Sequence, residues 1–596
     1  MFGGIEMANT LYFYPAVDDA WTTTGNWFTS SAHNVNTGYI PSTGDTAYIM
    51  GGVGSGPGMV VVMAYTHVAH SLTGNGDFGV NLGVNLEGPV TFNYGTTSGH
   101  FAYNEGILGA SAEFYSESYN DTGAAVGASA QFRDSSKNFG TVGDYAIFYE
   151  SAFNDAVGTV GNYAVFGQVS VIATPPPTNY GVVGDHATFY EDSTNEAGAQ
   201  VGNSALFAGT AAMAGYYTTG NLGTALNYAY FYSPDYAGGN RPVNWGVVGN
   251  YATFDSNVEN RGTAGNSARF LGTGANNFPR NGYSRSPGYP PDFATVGLGA
   301  DFDRGINFGY ASMLATSPME GARFTGIASF NAGEAGAWSQ FTFGAVNDTR
   351  ATVGIGASFS ASYNHGYASM LATTSMEGAK FYGTSRNSYP DGVTGDYASF
   401  ADASYNENVV ADYATFSDFT TNTQYGTVGN YAHFSGRCEN DGIVGNNAHF
   451  SGGCENDGIV GNNATFDDTA NCYGASSVVG NNATFNTSSH AGTNTTVGNH
   501  AVFNGSSHGD GTVGTDATFN TFSYVDSSGQ VGNRATFNGS SCNNGTATTA
   551  TFNGSSCNNG TATTATFNGS SYNNTGGTPT VAATFNGSSY NKGAIP

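Results

Sequence analysis

The sequence predicts an all-β protein, a single elongated β-solenoid of about two dozen coils of roughly 15 to 24 residues each, preceded by an N-terminal cap. Three observations carry this expectation. Glycine accounts for 88 of the 596 residues, while Leu numbers about a dozen and Lys three, so strong helix formers are too scarce for a helical fold. The 41 Phe and 37 Tyr form an apolar payload that argues against a disordered Gly/Ser/Asn-rich chain, because they recur at fixed offsets. The repeat itself is the third.

Aligned on phenylalanine, the chain shows Ala two residues before Phe again and again, as at Ala146/Phe148, Ala448/Phe450, Ala464/Phe466 and Ala535/Phe537. Val-Gly commonly stands four residues before the Ala, as in Val142-Gly143, Val160-Gly161 and Val444-Gly445, so the unit reads V-G-x-x-A-x-F. Ala and Phe share parity on a strand and are expected to point inward, with the intervening residue, often a threonine such as Thr465, Thr484 or Thr518, pointing to solvent. Six residues after Phe an asparagine recurs, at Asn440, Asn456, Asn543, Asn558 and Asn573 among others. An Asn in register from coil to coil can ladder its amides along the axis, and it tolerates the left-handed backbone of a tight corner.

The chain is expected to divide into a cap over residues 1–60, transitional coils over 61–105, an irregular solenoid with insertions over 106–300, a duplicated module over 301–394 and a regular solenoid over 395–596. The duplication is GYASMLATSPMEGARF at 309–324 and GYASMLATTSMEGAKF at 366–381, in which Met313, Met319, Met370 and Met376 are expected to pack. Two proline-bearing insertions, Ala173 to Tyr180 and Asn276 to Pro291, must leave the coil because proline cannot donate to a ladder. Loops on a rigid scaffold are free to carry recognition, so Pro175, Tyr180, Arg280, Tyr283, Arg285 and Tyr289 are the candidate receptor contacts.

Fifteen basic against 43 acidic residues give a formal charge of −28, which repels phosphate backbones and excludes nucleic acid and anionic membranes as partners. No stretch approaches the ~18 apolar residues of a membrane span, and no membrane insertion is expected. The opening MFGGIEMANTLYFYP lacks a basic and then an apolar region, so no conventional secretory leader is expected. The final NGSSYNKGAIP offers no apolar cap, which favours self-association.

Chemistry-bearing constellations are sparse. Carboxylates such as Asp144, Asp185, Glu191, Asp192 and Asp396 fall in scattered outward or corner slots, not as the facing pair that glycoside cleavage needs. Cys542, Cys557, His490, His508 and several tyrosines share one slot five residues after Phe, which reads as a packing column and not as a metal-ligand set. Disulfides between Cys438 and Cys454 or between Cys542 and Cys557 are left open. The expected cofactor is none; Ca2+ is held as the alternative at the two CENDG segments, 438–442 and 454–458, neither of which matches an EF-hand loop.

The segment after residue 8, with Trp21, Gly25-Asn26-Trp27, Pro41 and Gly44-Asp45, resembles the W…GNW…P…GD…I lead-in of β-solenoid stalk proteins of bacteriophage virions and bacterial surface adhesins. The resemblance implies a non-enzymatic fibre or adhesin of the tail-fibre type, located on a virion or at the cell surface. Its expected partners are other copies of itself, other virion or surface proteins, and a cell-surface glycan. The alternatives are a bacterial surface filament, and an ice- or carbohydrate-binding solenoid that uses the outward threonines.

Overall fold

The computed structural model describes residues 102–593 apart from 116, 168–175, 191–192, 210–218, 234–240, 273–277, 283–293 and 476, together with short strands between residues 10 and 93. The expected cap lies largely outside the described residues, as do Trp21, Gly25, Asn26, Pro41, Gly44 and Asp45. Among the described N-terminal strands, Thr10–Phe13 pairs antiparallel with Trp27–Phe28 and parallel with Thr46–Ile49. The chain divides into two units, Met1–Tyr310 and Ala311–Pro596. Each is a parallel β-solenoid, and the repeat makes about 25 turns of ~18 residues, with no helix among the described residues.

A coil consists of three short strands. In one coil of the first unit these are Thr141–Val142, Ile147–Tyr149 and Phe153–Asn154. Each pairs in register with its counterpart one coil on: Val142 with Val160, Phe148 with Phe166, Asn154 with Asn179. Strands this short cannot hold together alone; each is bonded on both sides by the coils above and below.

Register explains the core. Identical residues on adjacent parallel strands sit one strand spacing apart, so flat rings in one rotamer must lie face to face. The Phe rings stack without interruption from Phe114 to Phe302 in the first unit, and from Phe324 to Phe585 in the second. Around Phe450 the centroids stand 4.5 Å and 4.9 Å from those of Phe434 and Phe466. Ala146, Phe148, Ala464, Phe466, Ala535 and Phe537 are fully buried, and Ala448 and Phe450 nearly or fully so. The alanine beside each ring is small because the coil interior is narrow and the ring already fills it.

The asparagines form a second column, running in long unbroken stretches. From Asn104 through Asn120, Asn138 and Asn154 each side-chain Nδ2 donates to the Oδ1 of the next coil's Asn at 2.7 Å. The same ladder runs through Asn422, Asn440 and Asn456, and again through Asn543, Asn558, Asn573 and Asn591. These are strand residues and not left-handed corner residues, and all but the exposed Asn591 are buried inside the coil. A buried amide needs its donors and acceptors met, and a row of identical amides meets them along the axis.

The left-handed corner falls elsewhere, at the residue just before the inward Ala. Tyr145, Tyr163, Tyr413, Tyr431, Asn447 and Asn463 all have φ near +60° there. The preceding slot holds Asp or Asn in most coils, and its Oδ1 accepts the backbone N–H of the same slot one coil on: Asn162 donates to Asp144 at 2.7 Å, Asp185 to Asn162 at 2.8 Å, and Asn462 to Asn446 at 2.7 Å. Asp144, Asp185 and Asp396 are therefore corner clamps.

This corner also explains the glycine of the V-G pair. At Gly461 a Cβ would stand 2.6 Å from Asn446 Oδ1 and 2.8 Å from the Asn446 nitrogen, so it is the approach of the neighbouring coil that excludes a side chain. Gly461→Ala should lower stability by about 1–3 kcal/mol through overpacking against backbone that cannot yield. Equilibrium denaturation combined with amide exchange of residues 443–485 would measure it; wild-type protection there would show that the coils can spread.

Candidate interaction surfaces

Of the six predicted receptor contacts, Tyr180 and Arg280 are described; Pro175, Tyr283, Arg285 and Tyr289 lie outside the described residues. The two insertions are narrower than their sequence limits suggested. Thr178–Asn179 and Arg280–Asn281 are strands of the coil, paired with Phe153–Asn154 and Glu259–Asn260, and both asparagines belong to the buried ladder.

Tyr180 is exposed and stands edge-on to Phe153 with centroids 6.0 Å apart. Arg280 follows a strand neighbour, Glu259, whose buried carboxylate is paired with Arg261 at 2.6 Å and Arg241 at 3.4 Å. The Arg261 guanidinium lies over the Trp245 ring at 4.4 Å. Arg and Trp are the residue types enriched at binding hot spots, and this cluster was not singled out from the sequence because its members lie on three successive coils.

The duplicated modules depart from expectation. In each, seven extra residues are inserted into the V-G-x-x-A corner, so that Ala311, Ala322 and Phe324, and likewise Ala368, Ala379 and Phe381, keep their inward places. The methionines do not pack: Leu314 and Met319 are 83% and 82% exposed, Leu371 and Met376 84% and 69%, and Met313 and Met370 are also exposed. An interior already filled by Ala and Phe leaves them no room. Each turn is closed by its own glutamate, with Thr316 N and Oγ1 donating to Glu320 at 2.7 and 2.8 Å and Thr373 repeating this to Glu377. These donors hold both carboxyls below the usual range.

Two further outward features are ordered by register. Tyrosines at the left-handed corner, exposed except for the half-buried Tyr397, stack as Tyr145–Tyr163 and Tyr397–Tyr413–Tyr431, at 4.9–5.1 Å. In the last coils the Val and Phe strands fuse into Thr546–Phe552 and Thr561–Phe567, aligning Thr546 with Thr561, Thr549 with Thr564 and Thr551 with Thr566 in outward columns.

Both CENDG segments lie on adjacent coils, and oxygens of Glu439, Asp441 and Asp457 come within 4.8 Å of one another. Partial burial and mutual repulsion raise the Glu439 and Asp441 carboxyls above their usual range. A carboxyl with a higher pKa in the folded chain binds its proton more tightly there, so its charged form opposes folding as pH rises from about 4 upward. Thermal stability of this region should therefore rise as pH falls from about 7 to about 4.5, and the Glu439→Gln/Asp441→Asn double variant should lose that gain. An unchanged pH profile in the variant would show that these groups do not couple to folding.

Cys542 and Cys557, on adjacent coils with Cα atoms 4.6 Å apart, form a disulfide, whereas Cys438, Cys454 and Cys472 are buried thiols. The slot five after Phe that holds His490, His508, Tyr524, Tyr572 and Tyr590 is half-exposed or exposed, so its rings stack along the surface and not in the interior.

Fold and surface define a parallel β-solenoid repeat protein whose interior is structural throughout the described coils. Comparison with protein families, curated proteins and solved structures gives no match.

Proposed function

We propose that this chain is a non-enzymatic structural fibre or adhesin, of the type carried as a tail fibre on a phage virion, with a bacterial surface filament as the alternative setting. The observation that carries this reading is where the polar chemistry is spent. Buried Asn amides bond one another, and corner Asp and Asn side chains clamp the next coil's backbone. Carboxylates committed to backbone N–H groups are poor general acids or bases. The inter-coil disulfide supports an oxidising, exterior location. The net charge of −28 supports partners other than nucleic acid or anionic membrane. Among the described residues no helix is long and apolar enough to cross a membrane.

Partners in this reading are other copies of the chain, further virion or surface proteins, and a surface glycan, engaged through the exposed Met/Leu turns and the Trp245/Arg261 cluster. Peptide mass spectrometry of purified virions against washed cell-surface fractions tests the setting: enrichment in virions supports the tail-fibre type, enrichment in surface fractions the filament, and recovery in neither overturns both.

A second reading rests on the aligned threonine columns of the last coils, whose regular spacing suits a periodic ligand such as ice or a linear polysaccharide. Thermal hysteresis and glycan-array binding, compared between the wild type and Thr551→Tyr/Thr566→Tyr, would decide it.

A further inference from the structure

The buried asparagine ladder is broken over four consecutive coils. After Asn456 its slot is occupied by Cys472, Ala491, Gly509 and Val525, and the ladder resumes only at Asn543. Asn456 Nδ2 turns instead to Ser477 Oγ at 2.9 Å. Here the buried amide-to-amide bonding is missing, although a part-buried outer ladder, Asn504 donating to Asn486, Asn520 to Asn504 and Asn538 to Asn520 at 2.8–3.0 Å, still joins these coils, and a different set of polar groups gathers beside the gap.

His490 and His508 are register partners on adjacent strands, with ring centroids 3.9 Å apart. Asp510 follows the second of them, and its Oδ2 lies 2.8 Å from His490 Nε2. One donor atom from each of the three lies within 4.8 Å of the other two. The pair is walled by Tyr473, edge-on to His490 at 5.1 Å, and by Tyr524, stacked on His508 at 4.7 Å. His490 and Asp510 side chains are only 13% and 11% exposed. Two polar atoms of the group, His508 Nδ1 and Asp510 Oδ1, are buried and have no hydrogen-bond partner. A buried acceptor or donor left unmet costs about 1–3 kcal/mol, so two side by side ask for a ligand.

We propose that His490, His508 and Asp510 bind one divalent first-row transition ion of the zinc type and that this ion adds a tie between these coils beside the gap in the buried ladder. Two imidazoles and one carboxylate suit Zn2+, Co2+, Ni2+ or Cu2+ better than the oxygen-seeking Ca2+ or Mg2+. Three protein ligands leave a coordination position for water, as in open zinc sites. The sequence reading treated this slot as packing because it also accepts Tyr and Cys; what distinguishes the two histidines is Asp510, seven residues after Phe503, brought beside both by the register.

The same repeat supplies variants that the fold tolerates. Tyr524, Tyr572 and Tyr590 occupy the slot of His508, and Asn544 and Asn559 that of Asp510, so His508→Tyr and Asp510→Asn should fold. The full chain, stripped with EDTA and dialysed, would be titrated with ZnCl2 by calorimetry and with Co2+ by visible absorption. One ion per chain is expected, with affinity falling more than about tenfold in each variant. His449→Thr, at a second His/Asp pair, should retain wild-type binding. Amide exchange of residues 490–526 should slow on adding zinc to the wild type and stay unchanged in His508→Tyr. Absence of zinc binding, or binding unaltered in both His508→Tyr and Asp510→Asn when circular dichroism shows them folded, would overturn the proposal.

Discussion

Phe450→Ala should destabilise the coils on either side of it by about 3–5 kcal/mol, the cost of truncating a buried aromatic in a core that cannot collapse around the gap. The ring is fully buried and sandwiched between Phe434 and Phe466, so its loss strips two stacking faces as well as its own transfer energy. Because each coil contacts only its neighbours, the effect should be local, and amide exchange should reveal it in residues 434–485 while distant coils stay protected. Thr465→Ala is the matched control. Thr465 is half-exposed beside the fully buried Phe466, and its truncation should fall within about 0.5 kcal/mol of the wild type. Equal losses in the two variants would mean that the inward and outward faces have been exchanged.

Asn440→Ala should cost about 2–5 kcal/mol, more than the loss of one hydrogen bond would suggest. Asn440 accepts from Asn422 Nδ2 and donates to Asn456 Oδ1, both at 2.6 Å, and all three amides are fully buried. Removing the middle member leaves a donor on one side and an acceptor on the other without partners, each at about 1–3 kcal/mol. The gap between Asn456 and Asn543 shows the other side of the same rule: there consecutive members are replaced together, so few amides are orphaned. Denaturation of Asn440→Ala beside an Asn422→Ala/Asn440→Ala double variant gives the check. The second substitution should cost clearly less than the first, and simple additivity would argue against a coupled ladder.

Much of the repeat was legible because a solenoid writes its contacts into the sequence at constant intervals. The V-G-x-x-A-x-F unit exposes strand parity directly, and the inward places of Ala464 and Phe466 follow from counting residues. The asparagine column was legible as a position but not as a backbone state, since a strand Asn and a corner Asn look alike in sequence. The true corner, at residues such as Tyr145 and Tyr431, carried no glycine to mark it. The methionines of the duplicated modules misled for a related reason. Apolar residues ordinarily pack, but a coil filled by one Ala and one Phe has no space for an inserted turn.

The sequence by itself determined the fold class, the inward columns and the absence of an ordinary globular core, because these depend on periodicity and on neighbours within one coil. Only the tertiary structure decided what happens between coils. It set which glycines are excluded from bearing a Cβ, which carboxylates clamp backbone, which cysteines bond, and how His490, His508 and Asp510 meet beside a break in the ladder. Coil lengths vary, so residues that touch along the axis stand 15 to 26 positions apart in the buried ladder. The spacing of strands is constant in space, whereas the spacing of partners along the chain is not.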